Sequence, residues 1–160
     1  MHYRPVVTTI LTAGQVAFLA EARTAVLATI APDGTPRLVP VCFVVRDRSD
    51  DAVLYTPIDE KPKRAWDVRD LARVRDVLAR PTVAVLVHHW SEDWSELGWL
   101  RLRGDASLVE PADDPGEHAA IVAELRAKYT QYVSHLLEGR PLIRIRVTGA
   151  TAWGSLGVSD

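Results

Sequence analysis

The residues best suited to chemistry lie in one basic segment, residues 61–64, with the sequence Lys-Pro-Lys-Arg. Only three of the 19 basic residues are lysines, and two of them, Lys61 and Lys63, stand two positions apart here. With Arg64 and the nearby hydroxyl of Thr56, they supply the charges and donors that a dianionic phosphate needs. A solvated charged turn would have the same composition, because charge runs usually face water. The segment alone leaves both interpretations open.

The elements around the basic segment favour an anion site. Residues 52–56 are rich in apolar and β-branched side chains and predict a strand, whereas residues 64–80 switch to helical spacing. The predicted inward face of that helix consists of Val68, Leu71, Val74 and Leu78. Asp59 can cap the helix, and Pro62 is tolerated in its first turn. Free backbone N–H groups and the helix dipole attract an anion to such a helix start.

The rest of the chain predicts a mainly β protein with flanking helices. Strands are expected over residues 24–30, 36–46, 52–56, 82–88, 100–108 and 141–148, and further helices over residues 12–23 and 114–133. Asp33-Gly34 predicts a hairpin turn, Pro40 an edge strand or bulge, and Gly104 a bend. Six strands, mostly joined by hairpins, predict a closed or partly closed antiparallel barrel. A length of 160 residues fits a single domain, residues 1–160.

Composition restricts the partners and the compartment. The net charge of −2 does not favour a nucleic acid or an anionic membrane. No stretch approaches the roughly 18 apolar residues that cross a bilayer, and the N-terminus lacks the layout of a signal peptide. The single cysteine, Cys42, lies in an apolar run and cannot form an internal disulfide. We expect it to behave as a small hydrophobe in a reducing, cytoplasmic environment.

Other kinds of catalytic centre have little support. The chain lacks the Gly-x-Ser-x-Gly nucleophile motif, the G-x-G-x-x-G fingerprint and the phosphate-binding Gly-Lys-Ser/Thr loop. His88 and His89 are adjacent on a predicted strand and point to opposite faces, so we expect no metal site. The loop over residues 90–96 is either a polar loop anchored by aromatic side chains or a rim that packs on a planar ring. Cofactor-centred chemistry needs no conspicuous acid or base, and no catalytic residue is assigned.

The order of these features resembles the flavin-binding split β-barrel superfamily, that is, pyridoxamine 5′-phosphate oxidase and its relatives. The resemblance extends from about Gly14 to Trp153 and includes the Asp33-Gly34 hairpin, the Leu54-Tyr-Thr56 strand, the Lys-Arg helix start and the strand that follows Pro81. Within the superfamily the chain is most similar to an actinobacterial subgroup assigned as F420-dependent enzymes. The features that carry this similarity are residues 61–64, 90–94 and 99–103.

The resemblance implies a six-stranded antiparallel split β-barrel that forms a homodimer with cofactor sites at the subunit interface. It implies an oxidoreductase that transfers a hydride between the deazaflavin coenzyme F420 and a small planar substrate. An FMN-dependent oxidoreductase of the same fold and a non-catalytic flavin or F420 carrier are the alternatives. Oxidases of the vitamin pathway carry an arginine on the second strand that holds the FMN phosphate, where the resemblance places Val39, and this difference weakens the interpretation as an oxidase.

The resemblance also implies cofactor-binding roles for ten residues. The ring is expected to lie on the backbone of Val39, Pro40 and Val41. The phosphate is expected near Tyr55 and Thr56. The cationic pair at the helix start corresponds to Lys63 and Arg64, with Lys61 as an alternative. Trp90 and Trp99 are expected to approach the ring from the partner chain.

Overall fold

The structure, a computed structural model, describes residues 10–48, 51–59 and 67–157. The described helices are α1 (Ala13–Glu21), α2 (Ala72–Ala79) and α3 (Pro115–Lys128), with short 3₁₀ helices at Val68–Asp70, Trp94–Glu96 and Thr130–Val133. The described strands are β1 (Ala25–Ile30), β2 (Pro36–Val41), β3 (Val44–Arg48), β4 (Asp51–Pro57), β5 (Thr82–His89), β6 (Gly98–Val109) and β7 (Leu142–Gly154). No helix in these ranges is long and apolar enough to cross a lipid bilayer.

The strands form one antiparallel sheet in the order β2-β1-β5-β6-β7-β4-β3. β2 and β3 lie at its two edges, although only Cys42 and Phe43 separate them in the chain. Since so short a connection spans at most about 11 Å between flanking Cα atoms, the sheet must curl until its edges approach each other at this point. β2 and β3 are not paired within the described sheet. The expectation of a mainly β fold with an antiparallel sheet and helices is confirmed.

The prediction of one strand over residues 36–46 is wrong, because Cys42 and Phe43 interrupt it. The connection that these two residues form is named the β2–β3 corner. Phe43 is buried, its N–H donates to the Tyr129 hydroxyl at 3.1 Å, and its carbonyl accepts from Tyr129 at 3.0 Å and from the Lys128 Nζ at 3.0 Å. These side chains at the end of α3 take the place of a neighbouring strand. The predicted strand is therefore two strands, and the described part of the chain contains seven strands where six were expected.

The core consists of two clusters on opposite faces of β4. Leu54 belongs to the cluster inside the curled sheet, and the next residue, Tyr55, belongs to the cluster between the sheet and α3. Successive strand residues point to opposite faces, so β4 is buried on both sides. This arrangement places Thr56 on the same face as Leu54, inside the sheet.

Several local predictions are confirmed. Thr12 caps α1 through a capping box with Gln15. Gly34 has φ +87° at the hairpin, and Pro40 lies in a strand at the edge of the described sheet. The register shifts between Arg103 and Gly104, where a Cβ on the glycine would lie 2.6 Å from a backbone oxygen of Arg146.

The helix predicted over residues 64–80 is interrupted. A 3₁₀ turn ends at Leu71, whose ψ of 138° resets the helical phase before α2 begins. As a result Val77 is buried, whereas Leu78, predicted to face inward, is 61% exposed. Asp76 also points inward and accepts hydrogen bonds of 2.8 Å from the Thr29 hydroxyl and 2.8 Å from the Arg37 Nε.

Candidate functional site

A cavity of about 240 Å³ opens at the β2–β3 corner and is named the corner cavity. Its lining comes from the residue before β1, the end of β2, the corner, the end of β4 and α2. The lining residues are Thr24, Pro40, Val41, Cys42, Thr56, Pro57, Asp59 and Arg73. Pockets that hold a whole small molecule usually measure about 300–1,000 Å³, so the corner cavity suits one end of a larger ligand.

The Thr56 hydroxyl is the strongest sign of a polar ligand in the corner cavity. The residue is 2% exposed, and its Oγ1 finds no hydrogen-bond partner in the described part of the chain. Most buried polar groups have a partner, and leaving one unsatisfied costs about 1–3 kcal/mol. A phosphate or hydroxyl group of a ligand would satisfy this donor.

Arg73 gives the corner cavity a cation. It lies in the first turn of α2, is 7% exposed and lines the cavity. Charged groups are buried only when anions or other acceptors compensate for the loss of water. The basic segment, which includes Lys61, Lys63 and Arg64, lies outside the described residues, and its role stays a prediction. Asp59, the last described residue before this segment, also lines the cavity.

Asp59 is anchored by a hydrogen bond, whereas the helix start that it was predicted to cap lies outside the described residues. Its Oδ2 accepts a hydrogen bond of 2.5 Å from the hydroxyl of Tyr132. Burial, together with this bond to the carboxylate, raises the pKa of Tyr132, so that the phenol remains a neutral donor. The contact ties the chain that leads into the basic segment to the 3₁₀ helix after α3.

Tyr55 does not share the corner cavity with Thr56. Its hydroxyl donates a hydrogen bond of 2.6 Å to Glu117, which also accepts one of 2.8 Å from Arg144. Burial first, and then the hydrogen bond to Glu117, raise the pKa of Tyr55 to about 12. These groups line a separate cavity of about 320 Å³, named the Tyr55 cleft. The two residues, expected together near a phosphate, thus lie on opposite faces of β4.

An apolar surface adjoins the corner cavity on the outside of the sheet. It surrounds a cavity of about 640 Å³ and is named the outer apolar face, with Val26, Ala28, Leu38, Ala84, Leu86 and Trp99 among its lining residues. Val26 pairs in register with Pro40, which lines the corner cavity, so the two surfaces are neighbours across the β1–β2 pair. An apolar surface that leads to a buried hydroxyl and an arginine matches a planar ring that carries a phosphate-bearing chain.

The predicted ring-binding residues are placed in different ways. The side chains of Val39 and Val41 pack toward the inner core cluster, whereas Pro40 is exposed. β2 pairs only with β1 in the described sheet, so its other edge presents backbone groups that a ring could contact. Trp99 lies on the outer apolar face, and Trp90 is 62% exposed. An approach of these tryptophans from a partner chain stays a prediction.

Residues 11–154 match the family model described as pyridoxamine 5′-phosphate oxidase. The chain belongs to the pyridoxamine 5′-phosphate oxidase family. The resemblance predicted from the order of the sequence motifs is therefore confirmed. A comparison with curated proteins finds no match.

Solved structures similar to this member of the pyridoxamine 5′-phosphate oxidase family share its fold. A conserved hypothetical protein from Mycobacterium tuberculosis is 19% identical, with a TM-score of 0.69 over 99% of this chain and 95% of that one. A protein named F420 reductase is 22% identical, with a TM-score of 0.61 over 88% and 98%. A heme storage protein from Vibrio cholerae is 17% identical, with a TM-score of 0.59 over 84% and 89%.

The residues of the corner cavity fit the flavin-type cofactor that the pyridoxamine 5′-phosphate oxidase family implies. Thr56 offers an unpartnered buried donor, Arg73 a buried cation, and the outer apolar face a surface for a ring. Sequence reasoning missed Arg73, because an arginine within a helical pattern is normally expected on the solvent side. It also missed the lining role of Cys42, which lies in an apolar run and carries no signal beyond its residue type.

Proposed function

We propose that this chain is an oxidoreductase that uses coenzyme F420, with the phosphate-bearing end of the coenzyme in the corner cavity. The observation that carries the proposal is the unpartnered Thr56 hydroxyl, which lines that cavity together with the buried Arg73. When bound, the coenzyme supplies hydride transfer, and the protein supplies binding, orientation and exclusion of water. The substrate is a small planar molecule.

Each part of the site has a role in this proposal. Thr56 donates a hydrogen bond to a phosphate oxygen, and Arg73 contributes charge. The basic segment, residues 61–64, extends the positive charge along the phosphodiester and the glutamate tail of F420. The backbone of Val39 to Val41 and the outer apolar face hold the ring.

The number of cations supports F420 over FMN. FMN ends in one phosphate, whereas F420 continues past its phosphodiester into an anionic tail. Lys61, Lys63 and Arg64 together supply more positive charge than one phosphate requires. A similar structure is named F420 reductase, although its 22% identity supports the fold alone. FMN is the second candidate cofactor.

A second copy of this chain is the proposed partner at the outer apolar face. Leu38 is 67% exposed, Leu86 is 37% exposed and Trp153 is 54% exposed, which leaves large apolar side chains in contact with water. Contiguous exposed apolar surface is typical of an interaction site. A homodimer would cover it and bring Trp90 and Trp99 of the partner to the ring.

Parallel calorimetric titrations with F420 and FMN test the choice of cofactor. We expect submicromolar F420 binding and FMN binding at least tenfold weaker. Tighter binding of FMN would replace the proposed cofactor, and binding of neither would refute the proposal. Loss of reduced-F420 absorbance with a panel of acceptors then separates an enzyme from a carrier. Tight binding without oxidation by any acceptor would indicate the carrier.

A further inference from the structure

Cys42 combines accessibility with a position at the proposed site. It begins the β2–β3 corner, is partly exposed and lines the corner cavity together with Thr56 and Arg73. It is the only cysteine of the chain, so no internal disulfide can consume its thiol. Cys42 therefore lies at the opening that would admit a ligand, where a small reagent can approach it.

Two polar side chains lie close to Cys42 at the β2–β3 corner. Lys128 holds the adjacent residue, with its Nζ 3.0 Å from the carbonyl oxygen of Phe43, and interacts electrostatically with Cys42. The Tyr132 hydroxyl also interacts with Cys42 while donating to Asp59.

A second observation shows that Cys42, although it packs against the cluster between the sheet and α3, also lies beside a candidate ligand site. The Thr56 Oγ1, in a residue that is 2% exposed and lines the same cavity, has no partner among the described residues. A thiol and an unsatisfied hydroxyl thus share a volume of about 240 Å³. A group added to the sulfur must occupy space that the ligand of Thr56 requires.

We propose that Cys42 is a thiol-modification site, and that its mixed disulfide with a low-molecular-weight thiol closes the corner cavity to the phosphate end of the cofactor. In this step the Cys42 thiolate attacks one sulfur of a small disulfide. A new sulfur–sulfur bond forms, the original one breaks, and the second thiolate leaves with the electron pair. Cys42 is thereby oxidised and half of the small disulfide is reduced. The inference rests on the proposed function, because it assigns that cavity to the cofactor.

The experiment compares two adducts on the full-length protein. Oxidised glutathione adds a large group with two carboxylates, and methyl methanethiosulfonate adds only a methylthio group. Intact mass measures one adduct per chain, and the modified proteins are then titrated with F420 and FMN. We expect the glutathionyl adduct to weaken binding at least tenfold, the methylthio adduct to weaken it less, and dithiothreitol to restore it. The variant Cys42→Ser should gain no mass with either reagent. Its affinity for the cofactors should be the same before and after treatment.

The outcomes separate this inference from the proposed function. If the unmodified protein binds a cofactor and the glutathionyl protein binds it equally well, the inference is overturned while the proposed function stands. If the unmodified protein binds neither cofactor, the proposed function fails. The rate of thiol modification, measured with and without inorganic phosphate, then tests whether Cys42 shares the corner cavity with a ligand. Slowing of the Cys42 reaction by inorganic phosphate would then support shared occupancy of the corner cavity. If inorganic phosphate does not slow the reaction, or if Cys42 does not react in the folded protein, the inference is overturned.

Discussion

Thr29 and Thr56 lie on two strands, face the inside of the same sheet and are each 2% exposed. The Thr29 hydroxyl donates at 2.8 Å to Asp76, whose carboxylate also holds Arg37, so this region is complete without a ligand. The Thr56 hydroxyl has no partner within the described ranges. Burial of a polar residue therefore does not by itself mark a ligand-binding site. An unsatisfied donor beside a cavity does.

The variant Asp76→Ala, which removes the hydrogen-bond partner of Thr29, is expected to have the largest effect on stability. Removal of this buried carboxylate leaves the Thr29 hydroxyl unpaired, while Arg37, whose side chain is 44% exposed, can turn to water. We expect a loss of about 3 kcal/mol in the free energy of unfolding, measured by urea denaturation. Asp105→Ala is the control. Its pair with Arg146 is 3.6 Å long and exposed, so the loss should stay below about 1 kcal/mol. Equal losses of stability in the two variants would refute the distinction between a buried and an exposed carboxylate.

The two threonines allow a matched test of the comparison. Thr29→Val should lower the free energy of unfolding by about 1–2 kcal/mol, because it breaks a buried hydrogen bond. Thr56→Val should leave the stability of the ligand-free protein unchanged or raise it by about 1 kcal/mol. The same change should weaken F420 binding about tenfold, or about 1.4 kcal/mol. A destabilised Thr56→Val protein with full cofactor affinity would reverse the roles of the two regions.

Removal of charge near the corner cavity should affect binding and not folding. We expect the double variant Lys61→Ala with Lys63→Ala to bind F420 at least tenfold, or about 1.4 kcal/mol, more weakly and with less dependence on salt. The control is Arg48→Ala with Arg146→Ala, which removes two exposed cations from the Tyr55 cleft. Titrations at two salt concentrations should show little change for it. Equal weakening by both doubles would indicate general electrostatic attraction.

Tyr55→Phe tests whether the two faces of β4 are independent. Loss of the hydrogen bond to Glu117 should cost about 1 kcal/mol of stability, because Arg144 still satisfies that carboxylate. Cofactor affinity should not change, since Tyr55 lies in a different cavity from Thr56. Weaker binding by this variant, measured by the same titration, would return Tyr55 to the phosphate site.

The smallest expected effect is a pH dependence from Lys128, which supports the corner. Burial first, and then the charge of Arg23, lower the pKa of Lys128 to about 8 from 10.5. Between these values the folded chain has lost a proton that the unfolded chain keeps, so stability rises with pH. Because the group is only half buried, we expect on the order of 1 kcal/mol between pH 8 and 10. Denaturation of Lys128→Met should lack this rise, and an unchanged slope would contradict the assignment.

Local patterns predicted much of the fold because their causes are local. Alternating apolar residues identified the strands, Thr12 capped its helix, and Pro40 marked an edge strand. The β2–β3 corner could not be predicted, because Tyr129, which holds Phe43 there, lies 86 residues away in the chain. Nor could helical spacing reveal the phase change at Leu71, which turned Val77 inward and left Leu78 exposed.

The candidate site was predicted only in part for the same reason. The sequence identified Thr56 and the strand around Pro40, and both line the corner cavity. The resemblance placed Thr56 and Tyr55 together near the phosphate, although strand geometry separates them. Sequence reasoning missed Arg73, since the burial of a helical arginine depends on packing between elements and not on local spacing.

A crystal structure of the protein with bound F420 tests the central claim most directly. We expect a phosphate oxygen of the cofactor at hydrogen-bond distance, about 2.7–3.0 Å, from the Thr56 Oγ1 in the corner cavity. We also expect the ring on the outer apolar face beside Pro40. A phosphate bound elsewhere, with the Thr56 hydroxyl still without a ligand partner, would contradict the account.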